Sequence, residues 1–355
     1  MLDPKLGDAL LAATCPVPIA DTPTVLLGHG SGGRLTAKLI EETMLPAFRN
    51  PLLEPLEDAA ILAPAAGRIA LTTDSYVVTP IFFPGGDIGE LAVNGTVNDL
   101  VVSGARPLAL SLAFILEEGF PLADLERVVA SVKRAAERAR VRIATGDTKV
   151  VGRGSADKVF INTSGVGVVP EGREVSARRV REGDAILVSG TIGDHGVAIL
   201  SCREGLAFGG DLASDTAPLG DLVESLLAAC PTVHAMRDPT RGGVAATVVE
   251  IASREKVGIE LDEELLPVRD VVRGACEMLG LDPLLVANEG KLVAFVPEKD
   301  AAIALAAMRA HPLGRGAARI GRVTREHPGV VWTRTPIGGA RILELPYAEM
   351  LPRIC

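Results

Sequence analysis

The sequence is short of aromatic rings, of positive charge and of long apolar runs. Eight Phe, two Tyr and one Trp make up 3% of 355 residues. The interior must therefore be filled by Ala, Val, Leu and Ile. Lys and Arg number 36 against 45 Asp and Glu, a formal net charge of −9. That excludes a nucleic acid held on a basic face, which needs a cationic excess. It also excludes a polybasic membrane anchor. No apolar run approaches the roughly 18 residues of a membrane-spanning helix. The opening MLDPKLGDALLAATCPVP has an early Asp and no basic start, so no secretory signal is expected. The five Cys form no C-x-x-C, and the five His no H-x-x-x-H. Zinc and a disulfide framework are thereby excluded, and a reduced, cytoplasmic protein is expected. No Walker A sequence is present.

Glycine and proline, by contrast, are abundant at 38 and 24 residues. The length suits about two domains. Residues 1–24 read as a Pro-rich extension. Helical spacing of Leu35, Leu39, Ile40, Met44 and Phe48 predicts a helix over 34–48. Strand-like runs follow at 59–63 and 68–73. A helix is expected over 86–104, a strand over 107–116, a helix over 121–139, and strands over 141–145 and 158–169. The charged stretch 170–184 is the linker candidate. Beyond it, strands at 185–189, 257–261, 292–297 and 318–332 alternate with helices at 195–204, 218–229, 242–255, 267–279 and 299–309. Both halves thus read as α/β. The final LPYAEMLPRIC is extended, because its two Pro discourage helix.

Five features carry chemistry. GHGSGG at 28–33 matches G-x-G-x-x-G and opens a helix, but the acid expected on a ribose comes before the next strand instead of at its end. A loop covering phosphates with bare N–H groups fits better, with a flexible turn as the plain reading. Second, Asp58, Asp74, Asp147 and Asp238 sit beside strand-like runs. Carboxylates gathered on one rim repel unless a cation lies between them, and Mg²⁺ bridges such oxygens to phosphate. Lys149, two residues past Asp147, suits a phosphate. Third, the 86–104 helix holds Asn94, Asn98 and Asp99, all poor helix formers. Either the face is solvated or it serves a metal–phosphate site. Fourth, Glu289 in NEGKL is a turn acid or a buried acid–base group. Fifth, the last residue is Cys355. Ten extended residues reach roughly 30 Å, so its sulfur is either incidental or the attachment atom of a carrier arm. Cys202, Cys230 and Cys276 read as small buried hydrophobes, and His29 alone among the histidines merits attention.

GHGSGG, LEDAA, TTDSYVVTPIFFPGG, NGTVNDL, GDTKVV, SGTIGDHG, RDPTRGG, NEGKL and the terminal PRIC, in this order, resemble the HypE family of hydrogenase maturation proteins. That family lies within the PurM-like (aminoimidazole ribonucleotide synthetase) superfamily. The resemblance implies an α/β (α+β), two-domain PurM-like fold. It would comprise an ATP-binding domain at 25–172, a second domain at 173–345 and a mobile tail at 346–355. It implies a homodimer formed through the first domain's sheet, with ATP and Mg²⁺ between the domains. Asp58, Asp74, Asp99, Asp147 and Asp238 are the implied metal and phosphate ligands. Asn94 and Lys149 would position the nucleotide beneath Gly30, Ser31, Gly32 and Gly33. The implied reaction dehydrates a carbamoyl group on Cys355 to a thiocyanate, the source of hydrogenase cyanide. HypF would donate the carbamoyl group and the HypC–HypD complex would accept the cyanide. A base is needed near the amide nitrogen; Glu289 is the first candidate, with Asp99 and His29 behind it. Alternatives within the superfamily are a selenide water dikinase, disfavoured by the lack of Cys in the glycine loop, and a thiamine monophosphate kinase. A nucleotide-binding carrier without catalysis is a further alternative.

Overall fold

The computed structural model describes residues 22–345, apart from 32–33, 55, 57–58, 61, 63–65, 207 and 209–210, together with 351 and 353–355. The predicted first helix forms in three pieces (α1): Arg34–Leu39, a wider π turn at Ile40–Met44, and Leu45–Phe48. Four strands follow: β1 Arg68–Tyr76, β2 Arg106–Glu117, β3 Arg142–Val151 and β4 Val159–Val169. They form a sheet ordered β1-β4-β2-β3, with only the β2–β3 pair parallel. Helices α2 Ile88–Val102 and α3 Leu122–Ala139 pack on one face. The other face leaves Ile69, Leu71 and Ile115 exposed.

α3 forms because Leu125, Val128, Val129, Val132 and Ala136 recur at helical spacing and are buried. α2 starts where Asp87 accepts hydrogen bonds from the N–H groups of Gly89 and Glu90. It has no amphipathic stripe, because nearly every side chain is buried, Asn94 and Asn98 included. A helix buried on nearly every side belongs inside a protein. Here it lies between the first sheet and the second half of the chain. The solvated alternative for its polar face is thereby excluded.

The second half contains β5 Asp184–Val188, α4 Asp194–Glu204, α5 Gly220–Ala229, β6 Ala235–Arg237, α6 Gly243–Glu255 and β7 Gly258–Asp262. It continues with α7 Asp270–Leu279, β8 Val293–Pro297, α8 Ala301–Ala310, β9 Ala318–Thr324, β10 Val331–Arg334 and β11 Ala340–Ile342. The seven strands are ordered β11-β10-β7-β9-β5-β8-β6. Leu187, Leu222, Met236 and Ala304 join Ile88, Leu91 and Val97 in one buried cluster, so apolar packing runs across both halves.

Three expectations are corrected. The described residues of 59–63 are not strand: with no ladder partner among the described strands, so short a run does not hold an extended form. Strand 141–145 continues to Val151, and 68–73 to Tyr76, so Asp147 and Asp74 lie within strands instead of at their ends. Cys202 is exposed, while Cys230 and Cys276 are buried as expected. Among the described residues no helix is long and apolar enough to cross a membrane.

Candidate functional site

The acidic residues gather where α2, the end of β1 and the RDPTRGG loop meet. Inward-facing Asp74 lies against Asp99 of α2. Thr72 donates to Asp99 Oδ2 at 2.6 Å, and Tyr76 donates to Asp74 Oδ2 at 3.4 Å. Burial raises the Asp74 carboxyl to about 6, with repulsion from Asp99 adding to it. Asp238 follows β6 and is raised to about 7 by burial, then by Asp99 and Asp74. These groups share a region too crowded with negative charge to be stable uncompensated. Asp99 and Asp238 also line an inter-domain cavity of about 610 Å³ with Arg178, Arg237 and Arg254. The three arginines were not singled out by sequence, because nothing in their spacing separates them from ordinary surface cations.

Glu289 lies in the same region. It is 3% exposed, and its Oε1 has no hydrogen-bond partner. Burial pushes its carboxyl well above the usual range, helped by Asp215, Asp238 and Asp74. Asn94 Oδ1 is also buried without a partner, while its Nδ2 donates to Thr216 Oγ1 at 3.1 Å. Two orphaned buried polar atoms of this kind mark a place for a polar ligand.

The NEGKL segment fixes this geometry. Asn288 Oδ1 accepts from Gly193 N at 2.8 Å, and its Nδ2 donates to Pro239 O at 2.9 Å. One side chain thus ties SGTIGDHG to RDPTRGG. Glu289 N donates to Asp215 Oδ1 at 3.0 Å. Lys291 pairs with Asp215 at 2.9 Å. Burial alone would raise Asp215, but Lys291 and His195 beside it hold it below the usual range. Gly290 is required, since a Cβ there would lie 1.8 Å from Asp215 O.

The terminal residues are docked. Cys355 packs against the shared core, and Arg241 Nη2 lies 3.5 Å from its Sγ. Arg241 also bears on Glu289 electrostatically, so sulfur and carboxyl share a neighbour. His195 Nε2 donates to Ile354 O at 2.8 Å, and its Nδ1 faces Ser214 Oγ at 2.7 Å. Burial lowers the proton affinity of the ring, against the pull of Asp215 beside it. His195 was passed over in the sequence; its place in SGTIGDHG was the available signal.

A second group lies apart from the first. Asp147 and Lys149 point to the bare face of the sheet, in register with Ala113 and Ile115, and pair at 3.0 Å. Lys149 holds the Asp147 carboxyl below its usual range. The glycine loop packs here, where a Cβ on Gly30 would meet Val150 N at 2.4 Å. Ser31 Oγ donates to Gly28 O at 3.0 Å. Gly30, Asp147 and Lys149 line one cleft. The expected single rim of carboxylates is therefore split within one chain. His29 Nδ1 accepts from Leu26 N at 2.9 Å, within its own loop. Asp58, Gly32 and Gly33 lie outside the described residues.

Residues 56–169 match the family described as AIR synthase related protein, N-terminal domain, and residues 181–333 the corresponding C-terminal domain. Fold and site thus define a two-domain AIR synthase related, PurM-like protein. Carbamoyl dehydratase HypE of Rhodobacter capsulatus is 57% identical over 334 residues, covering 93% of this chain and 98% of the relative. A crystal structure of the hydrogenase maturation protein HypE in complex with ATP superimposes with a TM-score of 0.90 at 52% identity, covering 94% of this chain and 100% of that one. A HypE–HypF complex superimposes with a TM-score of 0.77 at 50% identity, covering 87% and 99%. The chain belongs to the carbamoyl dehydratase HypE family.

Proposed function

We propose that the protein dehydrates an S-carbamoyl group on Cys355 to a thiocyanate at the expense of ATP, supplying cyanide for hydrogenase maturation. The observation that carries this reading is Glu289: a buried carboxyl with an orphaned oxygen, reached through Arg241 by a docked terminal thiol.

A thiocarbamate, S–C(=O)–NH₂, does not lose water readily, because hydroxide leaves poorly. Transfer of the ATP γ-phosphoryl to its oxygen creates a good leaving group. Loss of both N–H protons and expulsion of phosphate leave S–C≡N. In its ionised form Glu289 is the base for a proton on that nitrogen, since the buried site raises the proton affinity of its carboxylate. The orphaned Asn94 Oδ1 suits an N–H donor and would orient the amide or nucleotide. Lys149 and the backbone N–H groups of Gly30 and Ser31, with Gly32 and Gly33 beyond, would hold phosphate oxygens.

The donor set suits Mg²⁺. Asp74, Asp99 and Asp238 are hard oxygen ligands whose mutual repulsion a cation would relieve. Among the described residues no three His, Cys, Asp or Glu side chains could hold a metal ion by themselves. Phosphate oxygens would therefore complete the coordination, as is usual for this ion. Asp58 and Asp147 would supply further oxygens. When bound, Mg²⁺ neutralises charge developing on the transferring phosphoryl group.

The separation of Asp147 and Lys149 from Asp74 supports a homodimer. Exposed Ile69, Leu71 and Ile115 give the bare sheet face an apolar centre of the kind that pairs. A second copy on that face brings its own Asp147, Lys149 and glycine loop toward it. HypF is the proposed carbamoyl donor and the HypC–HypD complex the cyanide acceptor. A terminal thiol that must stay reduced suits the cytoplasm. The 25–172 and 173–345 units are the proposed domains, joined at 170–184.

The test is the intact mass of the carbamoylated protein incubated with ATP and Mg²⁺. Loss of about 18 Da (one water) is expected. Glu289→Gln should bind ATP and retain the unchanged adduct. Full turnover by that variant removes Glu289 from the role, and an unchanged wild-type adduct favours a passive carrier.

A further inference from the structure

Asn98 lies on α2, in the first half of the chain, yet the hydrogen bonds of its amide all cross to the second half. Its Nδ2 donates to Ala217 O at 3.0 Å and to Glu289 O at 3.2 Å, and its Oδ1 accepts from Leu219 N at 2.8 Å. The residue is 1% exposed. An amide carries two N–H donors and one carbonyl, and here the donors meet two carbonyls while the oxygen meets an N–H. Turning the group over would set its oxygen against both carbonyls, so its orientation is fixed. One turn earlier, Asn94 Nδ2 reaches Thr216 Oγ1 in the same loop. The two amides together hold residues 216–219 against α2.

These bonds end on the candidate base. Glu289 N donates to Asp215 Oδ1, and Glu289 O accepts from Asn98, so the residue is gripped through both of its peptide groups. The next residue, Gly290, packs so closely on the loop that an added Cβ would lie 2.9 Å from Ala217 N. Residues 215–219 are thus pressed between α2 and the NEGKL segment. Glu289 Oε1, by contrast, has no hydrogen-bond partner. With no bond at that oxygen, the direction of the carboxyl follows from where the backbone is held. α2 is a firm mount for this grip, because it is buried on nearly every side and capped by Asp87. The residue after Asn98 is Asp99, which lies against Asp74 in the acidic cluster. Consecutive residues of one helix therefore fix the spacing between the phosphate-handling acids and the base.

We infer that Asn98 is the positioning residue for Glu289: it sets where the carboxyl stands relative to the amide nitrogen of the thiocarbamate. The inference rests on the catalytic reading of Glu289 given above. Asn98 touches no reacting atom in this role, and its effect passes through the Glu289 backbone. Misplacing a reacting group by about 1 Å costs about 10²-fold in rate.

The experiment follows loss of water from the full S-carbamoylated chain by intact mass over time, across a range of ATP concentrations with Mg²⁺. Asn98→Asp keeps the shape and the acceptor for Leu219 N, but turns the donor toward Glu289 O into a second acceptor. It should slow dehydration roughly 10- to 100-fold, while the half-saturating ATP concentration stays within about twofold. Asn98→Ala should act in the same direction. Rates are counted per ATP-binding site, so any fraction that fails to fold does not enter. A structural loss slows any background, whereas a positioning loss needs the group being positioned. In the Glu289→Gln background, adding Asn98→Asp should therefore change the slow residual rate by less than about twofold. Wild-type turnover by both Asn98 variants, or equal slowing with and without Glu289→Gln, would overturn the assignment. A raised half-saturating ATP concentration at unchanged maximal rate would overturn it too. Full turnover by Glu289→Gln alone would refute the catalytic reading, and the role of Asn98 would fall with it. Lost turnover in Glu289→Gln together with equal slowing in both backgrounds would refute Asn98 alone.

Discussion

Replacing Gly95 by Ala sets two physical effects of opposite sign against each other. In the middle of a helix this change ordinarily adds about 1 kcal/mol of stability, because glycine carries the larger backbone entropy cost. In α2, however, a Cβ at position 95 would lie 2.2 Å from Tyr76 Oη and 3.1 Å from its Cζ. Tyr76 is itself buried and bonded to Asp74, so it has no easy retreat. Overpacking of this kind costs roughly 1–3 kcal/mol. The net expectation is a loss of up to about 2 kcal/mol, read as a lower urea midpoint at unchanged slope. Gly274→Ala supplies the contrast: it lies in α7 with nothing within 4 Å of its would-be Cβ. That variant should gain up to about 1 kcal/mol. Tyr76→Phe removes the clashing oxygen, so combined with Gly95→Ala it should recover most of the loss. A midpoint that rises in Gly95→Ala, as it does in Gly274→Ala, would refute the claim that Tyr76 and α2 are in rigid contact.

Asn288→Ala strands Gly193 N and Pro239 O, and should lower stability by about 2–4 kcal/mol in the same urea assay. Glu289 is an acid with raised proton affinity in the fold, so the folded state keeps a proton that the unfolded chain releases above about pH 4.5. Stability of the metal-free protein should therefore fall relative to Glu289→Gln as pH climbs from about 5 to about 8. A gap constant across that range would place Glu289 in solvent. EDTA should weaken ATP binding strongly in wild type, and calorimetry with Asp74→Asn should show a smaller metal dependence. Cys355→Ser should keep ATP affinity within about twofold, since the thiol is not a phosphate ligand here.

The alternation of apolar runs and turns made most elements legible. α3 is the clearest case, because its stripe of Leu and Val at spacings of three and four has no strand reading. The 59–63 run shows the limit: five apolar letters do not distinguish a strand from an irregular crossing. α2 shows another, since helix propensity argues against a segment whose Asn94 and Asn98 are kept by hydrogen bonds to the second half of the chain. At the site, each Asp was visible as a residue, but the face it points to was not. Asp74 and Asp147 both looked like strand-end acids; register alone separates them. His195 and Asp157 were invisible as tail partners, because each meets Arg353 or Ile354 only through folding over more than 150 residues of chain.

The shared apolar cluster has a bearing on how the chain comes apart. Side chains from both sheets close on α2, and Glu224 of α5 is clasped by Arg106 of β2 and by Arg173 of the connecting stretch. The halves are therefore not beads that merely share a string. A protease that cut at one of the exposed points of the 170–184 stretch, 171–172 or 181–183, would sever the peptide without opening the hydrocarbon seam. The two fragments should then stay together on a sizing column, melt in one step, and part only in denaturant.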